Sequence, residues 1–131
     1  MNLQIAALCD AAADYGGKLS LLGAFDTIMA RQLPTKHPQR SVALRCVFDR
    51  NDEGTRHLRV DMVDADGKSI MPAVDIPYEV KLPADALHLS RNFVINIQQV
   101  KFDQAGHYAV VVSLDGRALM SVPLRVHVGP A

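Results

Sequence analysis

The stretch FDQAGHYAVVV, residues 102 to 112, runs without a break into SLDGRALMSVPLRV, residues 113 to 126, and how the two pair decides the fold. Tyr108, Val110 and Val112 recur with period two, the signature of a strand with one buried face. Asp115-Gly116 is a turn signal, and a second strand-like run follows it. A two-residue turn there would pair Leu114 with Arg117 and set Val110 against Ser121, apolar against polar. A three-residue loop with Gly116 in the left-handed region shifts the parity by one. Val112 then opposes Ala118, Val110 opposes Met120 and Tyr108 opposes Val122. A one-residue slip moves a strand's whole apolar set to the wrong face, so the sequence predicts the three-residue loop. VDADGKSI, residues 63 to 70, reads the same way: with Gly67 left-handed, Met62 opposes Ile70.

Period two extends outward in both directions. Leu3, Ile5, Ala7 and Cys9 alternate with Asn2, Gln4 and Ala6. After the Gly-Gly turn of DYGGK, residues 14 to 18, come Leu19, Leu21, Gly23, Phe25 and Thr27. Leu22, Ala24 and Ile28 make the other side of that run apolar too, the pattern of a strand buried on both faces. Gly23 marks a bulge or a close backbone approach. RQLPTKHPQR, residues 31 to 40, is a loop without periodicity. Alternating runs follow at 42–48, 58–62, 74–80 and 93–97. Pro77 cannot donate to a ladder, which puts its strand at a sheet edge. Only LCDAAADYG (8–16) and LPADALHLS (82–90) offer any helical reading, the second for one turn.

A chain of some eight short strands divided by turn signals is the pattern of a sandwich or barrel. In immunoglobulin-like sandwiches a Tyr near the start of the penultimate strand enters from a corner and donates to upstream backbone. DQAGHY, residues 103 to 108, has the acidic residue, Gly and Tyr in that order. Val110 stands where antibody domains carry a Cys, and the chain has no Trp to pack on a disulfide. The expectation is an all-β, immunoglobulin-like β-sandwich of about seven to nine antiparallel strands with no disulfide. It forms a single domain over residues 1–131.

With 49% apolar and 21% charged residues the composition is that of a globular protein. The formal net charge is zero, which argues against nucleic acid as a partner, because phosphate binding needs excess Lys and Arg. It also removes a barrier to self-association. No apolar run approaches the ~20 residues of a membrane span. The first residues lack an early Lys or Arg and are interrupted by Asp10 and Asp14, a poor signal peptide. Cys9 and Cys46 lie on the apolar sides of their runs as small buried thiols. A cytoplasmic protein is expected.

Each constellation that could carry chemistry has a plainer explanation. DRNDEG, residues 49 to 54, begins like a calcium loop, but Val60 stands where the bidentate Glu belongs. Asp64 and Asp66 beside Gly67 suit turn chemistry. His37, His57, His88, His107 and His127 show no metal-ligand spacing. There is no G-x-S-x-G elbow and no phosphate-binding glycine fingerprint. Asp26 is the carboxylate expected to be partly buried. The most basic stretch holds Arg31, Lys36, His37 and Arg40, and long loops on a rigid scaffold often carry binding, so these four form the candidate partner-contact loop. No catalytic residue, cofactor or metal is expected.

Several stretches together resemble a bacterial family of small uncharacterised domains. They are the strand ending in Cys9-Asp10, GGKLSLLGAFDTI, the Pro loop before SVALRCVF, VDADGKSI and GHYAVVVSLDGRALMSVPLRV. The resemblance implies a β-sandwich of unknown function and brings no catalytic residues. The expected role is a non-catalytic protein-interaction or structural module whose partner is another protein or a second copy, as a homodimer joined through a free edge. The alternative is a small-molecule or carbohydrate-binding module using loops at one end of the sandwich.

Overall fold

The computed structural model describes residues 1–129, without the side chain of His37. The strands are β1 (Asn2–Tyr15), β2 (Lys18–Ala24), β3 (Thr27–Ala30), β4 (Thr35–His37), β5 (Arg40–Phe48), β6 (Gly54–Val63), β7 (Val74–Val80), β8 (Leu89–Ile97), β9 (Val100–Phe102), β10 (Gly106–Leu114) and β11 (Arg117–Val128). One sheet has the order β2-β1-β5-β8 and a second the order β3-β11-β10-β6-β7. The second sheet curls into a half-barrel, and β4 and β9 form a separate two-stranded ladder. These eleven strands exceed the expected seven to nine because β3, β4 and β9 have only three or four residues each, too few to display alternation. The loop expected at 31–40 contains β4. The all-antiparallel expectation fails at one place: β3 runs parallel to β11.

Leu8, Val42, Leu44 and Ile95 from the first sheet meet Leu58, Val60, Val110, Val112, Leu124 and Val126 from the second in one buried cluster. A smaller cluster holds Cys46, Phe48, Val80 and Leu82. Alternation places these residues as expected on β5, β6 and β10, but not on β1. A register shift between Leu3 and Ile5 turns the strand over, so that Leu8 enters the core and Cys9 takes the opposite face. Cys9 is nonetheless fully buried, with Sγ 3.5 Å from the Ser41 carbonyl. Both cysteines are free thiols. Burial pushes the Cys46 thiol up to about 11, which leaves it protonated at neutral pH and unreactive.

The two hairpins part company. At 63–70 the three-residue loop forms: Gly67 is left-handed at φ 81°, and the Ile70 N–H bonds the Met62 carbonyl at 2.9 Å. At 114–117 it does not. Leu114 pairs with Arg117 across a two-residue turn, with Asp115 at φ 50° and Gly116 at 81°. Asp tolerates this conformation better than most residues, and here its carboxylate is anchored on β6. It accepts the His57 N–H at 2.9 Å and Arg56 Nη1 at 3.0 Å. Parity is corrected one step later, where Leu119 is left over between the pairs Ser113–Ala118 and Val112–Met120, a β-bulge. Val110 thus faces Val122, and Tyr108 faces Leu124. The requirement that apolar residues meet was sound; a bulge, not a longer loop, fulfils it. Tyr108 Oη donates to the Gln104 carbonyl at 2.6 Å, the corner bond expected from DQAGHY.

The largest departure is β2. Its two apolar faces suggested burial on both sides, yet only Leu19 is even partly covered. Strand β1 leaves β5 after Cys9 and continues with β2 as a hairpin arm, residues 10–24. If straight, the stretch from Ile5 to Gly17 would span ~40 Å. Ile5 pairs with Arg45, however, and Arg45 Nη1 also reaches the Gly17 carbonyl at 3.1 Å. Asn92 Nδ2 donates to the same carbonyl at 3.1 Å. The arm therefore folds back until its tip rests on β5 and β8. Gly23, at φ 69°, makes the close approach expected of it: a Cβ there would lie 2.5 Å from an Asp10 carboxylate oxygen.

Candidate interaction surface

Strands that border the two edges of the fold differ in how they are closed. Where β7 and β8 meet, Tyr78 is the closure. Its ring stacks on Phe48 at 5.8 Å, meets Phe93 edge-on at 5.5 Å and lies under the Arg91 guanidinium. Arg91 Nε also donates to the Tyr78 hydroxyl. Pro77 sits on this outer strand, as its missing N–H requires.

Where β1 and β11 meet, the lanes beside both strands are empty for part of their length. Strand β2 pairs with β1 only from Cys9 onward, and β3 pairs with β11 only from Arg125 onward. Between these strands runs an open groove of about 370 Å³ lined by Ala6, Ala7, Phe25, Asp26, Val122 and Pro123. The chain crosses from one sheet to the other at Phe25–Asp26: the Phe25 N–H bonds the Leu8 carbonyl, and the Asp26 carbonyl accepts the Arg125 N–H. Asp26, expected to be partly buried, is exposed and accepts from Thr27 Oγ at 3.0 Å.

Exposed large apolar side chains follow the same division. Tyr15 (79% exposed), Leu21 (39%) and Leu22 (70%) lie on the arm, and Met29, Leu119, Met120 and Val128 on β3 and β11. Leu87, in the 81–88 connection, is the exception; Arg50 Nη2 pins that loop by donating to the carbonyls of Pro83, Ala84 and Ala86. Strands β7 and β8 carry none. Isolated exposed apolar residues are ordinary, but contiguous ones mark contact surfaces. The sequence signal for the arm was its double-faced apolar pattern, read as burial.

The basic loop does not form a single patch. Arg31 is exposed after β3, and Lys36 sits on β4 opposite Lys101. Arg40 is drawn away to the root of the arm, 3.2 Å from Asp10 and over the Phe25 ring at 5.9 Å. The His37 side chain lies outside the described residues.

The remaining polar groups hold turns together. Asp64 accepts the N–H groups of Asp66 and Lys68 at 3.0 and 2.9 Å. Asp49 accepts the Asn51 N–H and caps a 3-10 turn at Arg50–Asp52. Asp52 lies 3.0 Å from the Met1 ammonium. Burial pushes its pKa upward, but the Asp49 N–H, the ammonium and Arg56 outweigh this and hold it low. Among the described residues no three His, Cys, Asp or Glu side chains gather as a metal site, and no helix is long and apolar enough to cross a membrane. A polar cleft of about 510 Å³, lined in part by Asp64, Lys68, Lys101, Asp103, Gln104 and Tyr108, opens at one end of the fold. The apolar cavity beneath Arg40, near 20 Å³, has room for about one water.

No curated protein and no solved structure matches the chain. A family model matches residues 4–127, nearly the whole length and both sheets. The chain belongs to that family, a family of unknown function (DUF6941).

Proposed function

We propose that the chain is a non-catalytic protein-interaction module built on an immunoglobulin-like sandwich, with the arm and the open β1–β11 side as its contact surface. The observation that carries this is β2: a strand rich in Leu, exposed on both faces, with an unpaired outer edge. Such an edge is a template for pairing with another chain. The immunoglobulin-like reading is supported by strand order. Strands β1, β5 and β8 correspond to A, B and E, and β6, β7, β10 and β11 to C, C′, F and G. The Tyr108 corner bond falls on the F equivalent. Buried free thiols at Cys9 and Cys46 suit a reducing cytoplasm, in a bacterial cell as the resemblance implies. The ionised groups favour binding over catalysis because Asp10, Asp52, Asp64 and Asp115 are engaged in holding the fold.

The test is affinity capture from native lysate with the wild-type chain and with Tyr15→Lys/Leu22→Lys in parallel. Both positions are exposed, so the variant folds. A partner retained by the wild type and lost by the variant is the expected result; equal recovery on both contradicts the reading. The polar cleft supports a second reading, a small-ligand module. Its expected signature is a saturable thermal shift with a small sugar or organic anion, abolished by Lys101→Ala.

A further inference from the structure

We infer that the arm is a latched strap. It swings as one piece about Asp10 and Gly23, and in its closed position it covers the outer face of the first sheet. The inference goes beyond the contact-surface reading and holds whatever binds the arm.

What the strap covers follows from alternation. Val42 and Leu44 of β5 face the second sheet, so Ser41, Ala43 and Arg45 face the other way. Asn92 of β8 pairs with Arg45 and shares that face. The second sheet lies on the opposite side, yet Ser41 is only 3% exposed, and Ala43 and Cys9 are fully buried. Their cover is the arm. The pairs Ala12–Leu21 and Asp14–Leu19 put these four residues on one face of the hairpin, with Ala12 and Leu19 half-buried. Tyr15 and Leu22 lie on the other face, in solvent. The tip is held to the sheet by polar contacts. Arg45 Nη1 and Asn92 Nδ2 each donate to the Gly17 carbonyl at 3.1 Å, and Asn92 Nδ2 also donates to Asp14 Oδ2 at 3.4 Å.

Opening disturbs little else. Residues 11–15 and 18–22 pair with each other, and pairing with β5 stops at Cys9, so a swing of the arm breaks no ladder bond. The ladder is interrupted at Asp10 and Gly23, and Gly23 sits at φ 69°. Such element-terminal positions are where hinges absorb backbone change. The root stays fixed by the Asp10–Arg40 ion pair at 3.2 Å and by the Phe25 N–H bond to the Leu8 carbonyl. When the tip leaves, Arg45 keeps Gln4 at 2.9 Å and Asn92 at 2.8 Å, so no charge is stranded. The Gly17 carbonyl exchanges its donors for water, a change of small net cost. A segment with so few buried apolar contacts opens well below the free energy of global unfolding.

The two free thiols supply the test. Cys9 lies under the arm, whereas Cys46 packs in the separate cluster with Phe48, Val80 and Leu82. Each is alkylated in the native chain, and its labelling rate is followed by mass spectrometry; the rate at Cys9 tracks the open population. Arg45→Ala/Asn92→Ala is expected to label at Cys9 about tenfold faster than wild type, with the rate at Cys46 unchanged. Asp14→Ala, which alters the arm alone, acts in the same direction by about twofold. Ala43→Cys in a Cys9→Ser chain reports from the middle of the covered face and follows the same order. Rates at Cys9 and Cys46 that rise together mark loosening of the whole fold and overturn the inference, as does a Cys9 rate that these variants leave unmoved. Either result leaves the contact-surface reading standing, because the exposed face of Tyr15 and Leu22 does not depend on the swing.

Discussion

The two sides on which the sheets meet are built from the same materials and finished differently. On the β7–β8 side one tyrosine ties three aromatic and cationic neighbours together, and Pro77 lies on the outer strand. On the β1–β11 side a groove stays open, two lanes stay empty, and the apolar side chains face solvent. The closed side lowers the free energy of the folded chain. The open side contributes little to it, because its apolar residues stay exposed. Aromatic closure and apolar exposure are thus divided between opposite edges of one fold.

The sharpest way to break this comparison is mutational. Tyr78→Ala is expected to cost roughly 3 kcal/mol in denaturant unfolding, in the range of other large aromatic truncations. On the open side, Leu22→Ala should stay within about 0.5 kcal/mol in a monomeric state. Equal costs would dissolve the distinction. A smaller effect is expected at the corner: Tyr108→Phe loses the bond to the Gln104 carbonyl and about 1 kcal/mol, with the Phe102 edge contact kept.

Acid sharpens the comparison at one turn. The His57 N–H and the Arg56 guanidinium hold the Asp115 carboxyl below its usual value. Its contribution is therefore fully present above the unfolded-state value, near 3.8, and is lost as pH falls through the lower folded-state value. Asp115→Asn is expected to be less stable than wild type at pH 7 and equal to it near pH 2, read from paired melting curves. A gap that persists at low pH would assign the effect to something other than charge. The smallest stability change is expected from Pro77→Val, which restores an N–H on an outer strand; its readout is increased self-association, because the edge loses its protection.

The sequence carried the strand pattern, the edge position of Pro77, the corner at Tyr108, the Gly67 loop and the buried thiols, because each depends on side chains a few residues apart. What it hid depends on distant partners. The turn at Asp115 looked too short until His57 and Arg56 were seen to hold its carboxylate. The parity of β1 was obscured by a bulge near Gln4 that no turn residue announces. Arg40 read as part of a basic loop, yet Asp10, thirty positions earlier, takes it. The arm was misread for a physical reason: period and hydropathy are identical for a strand buried inside the protein and for one left exposed at its surface.

Hydrogen exchange of the dilute chain tests the central claim most directly. The account predicts that the amides of Leu19, Leu21 and Gly23, which point away from β1, exchange freely, while the β7 amides that bond β6 are protected. Protection of the outer β2 amides equal to that on β7 would contradict it.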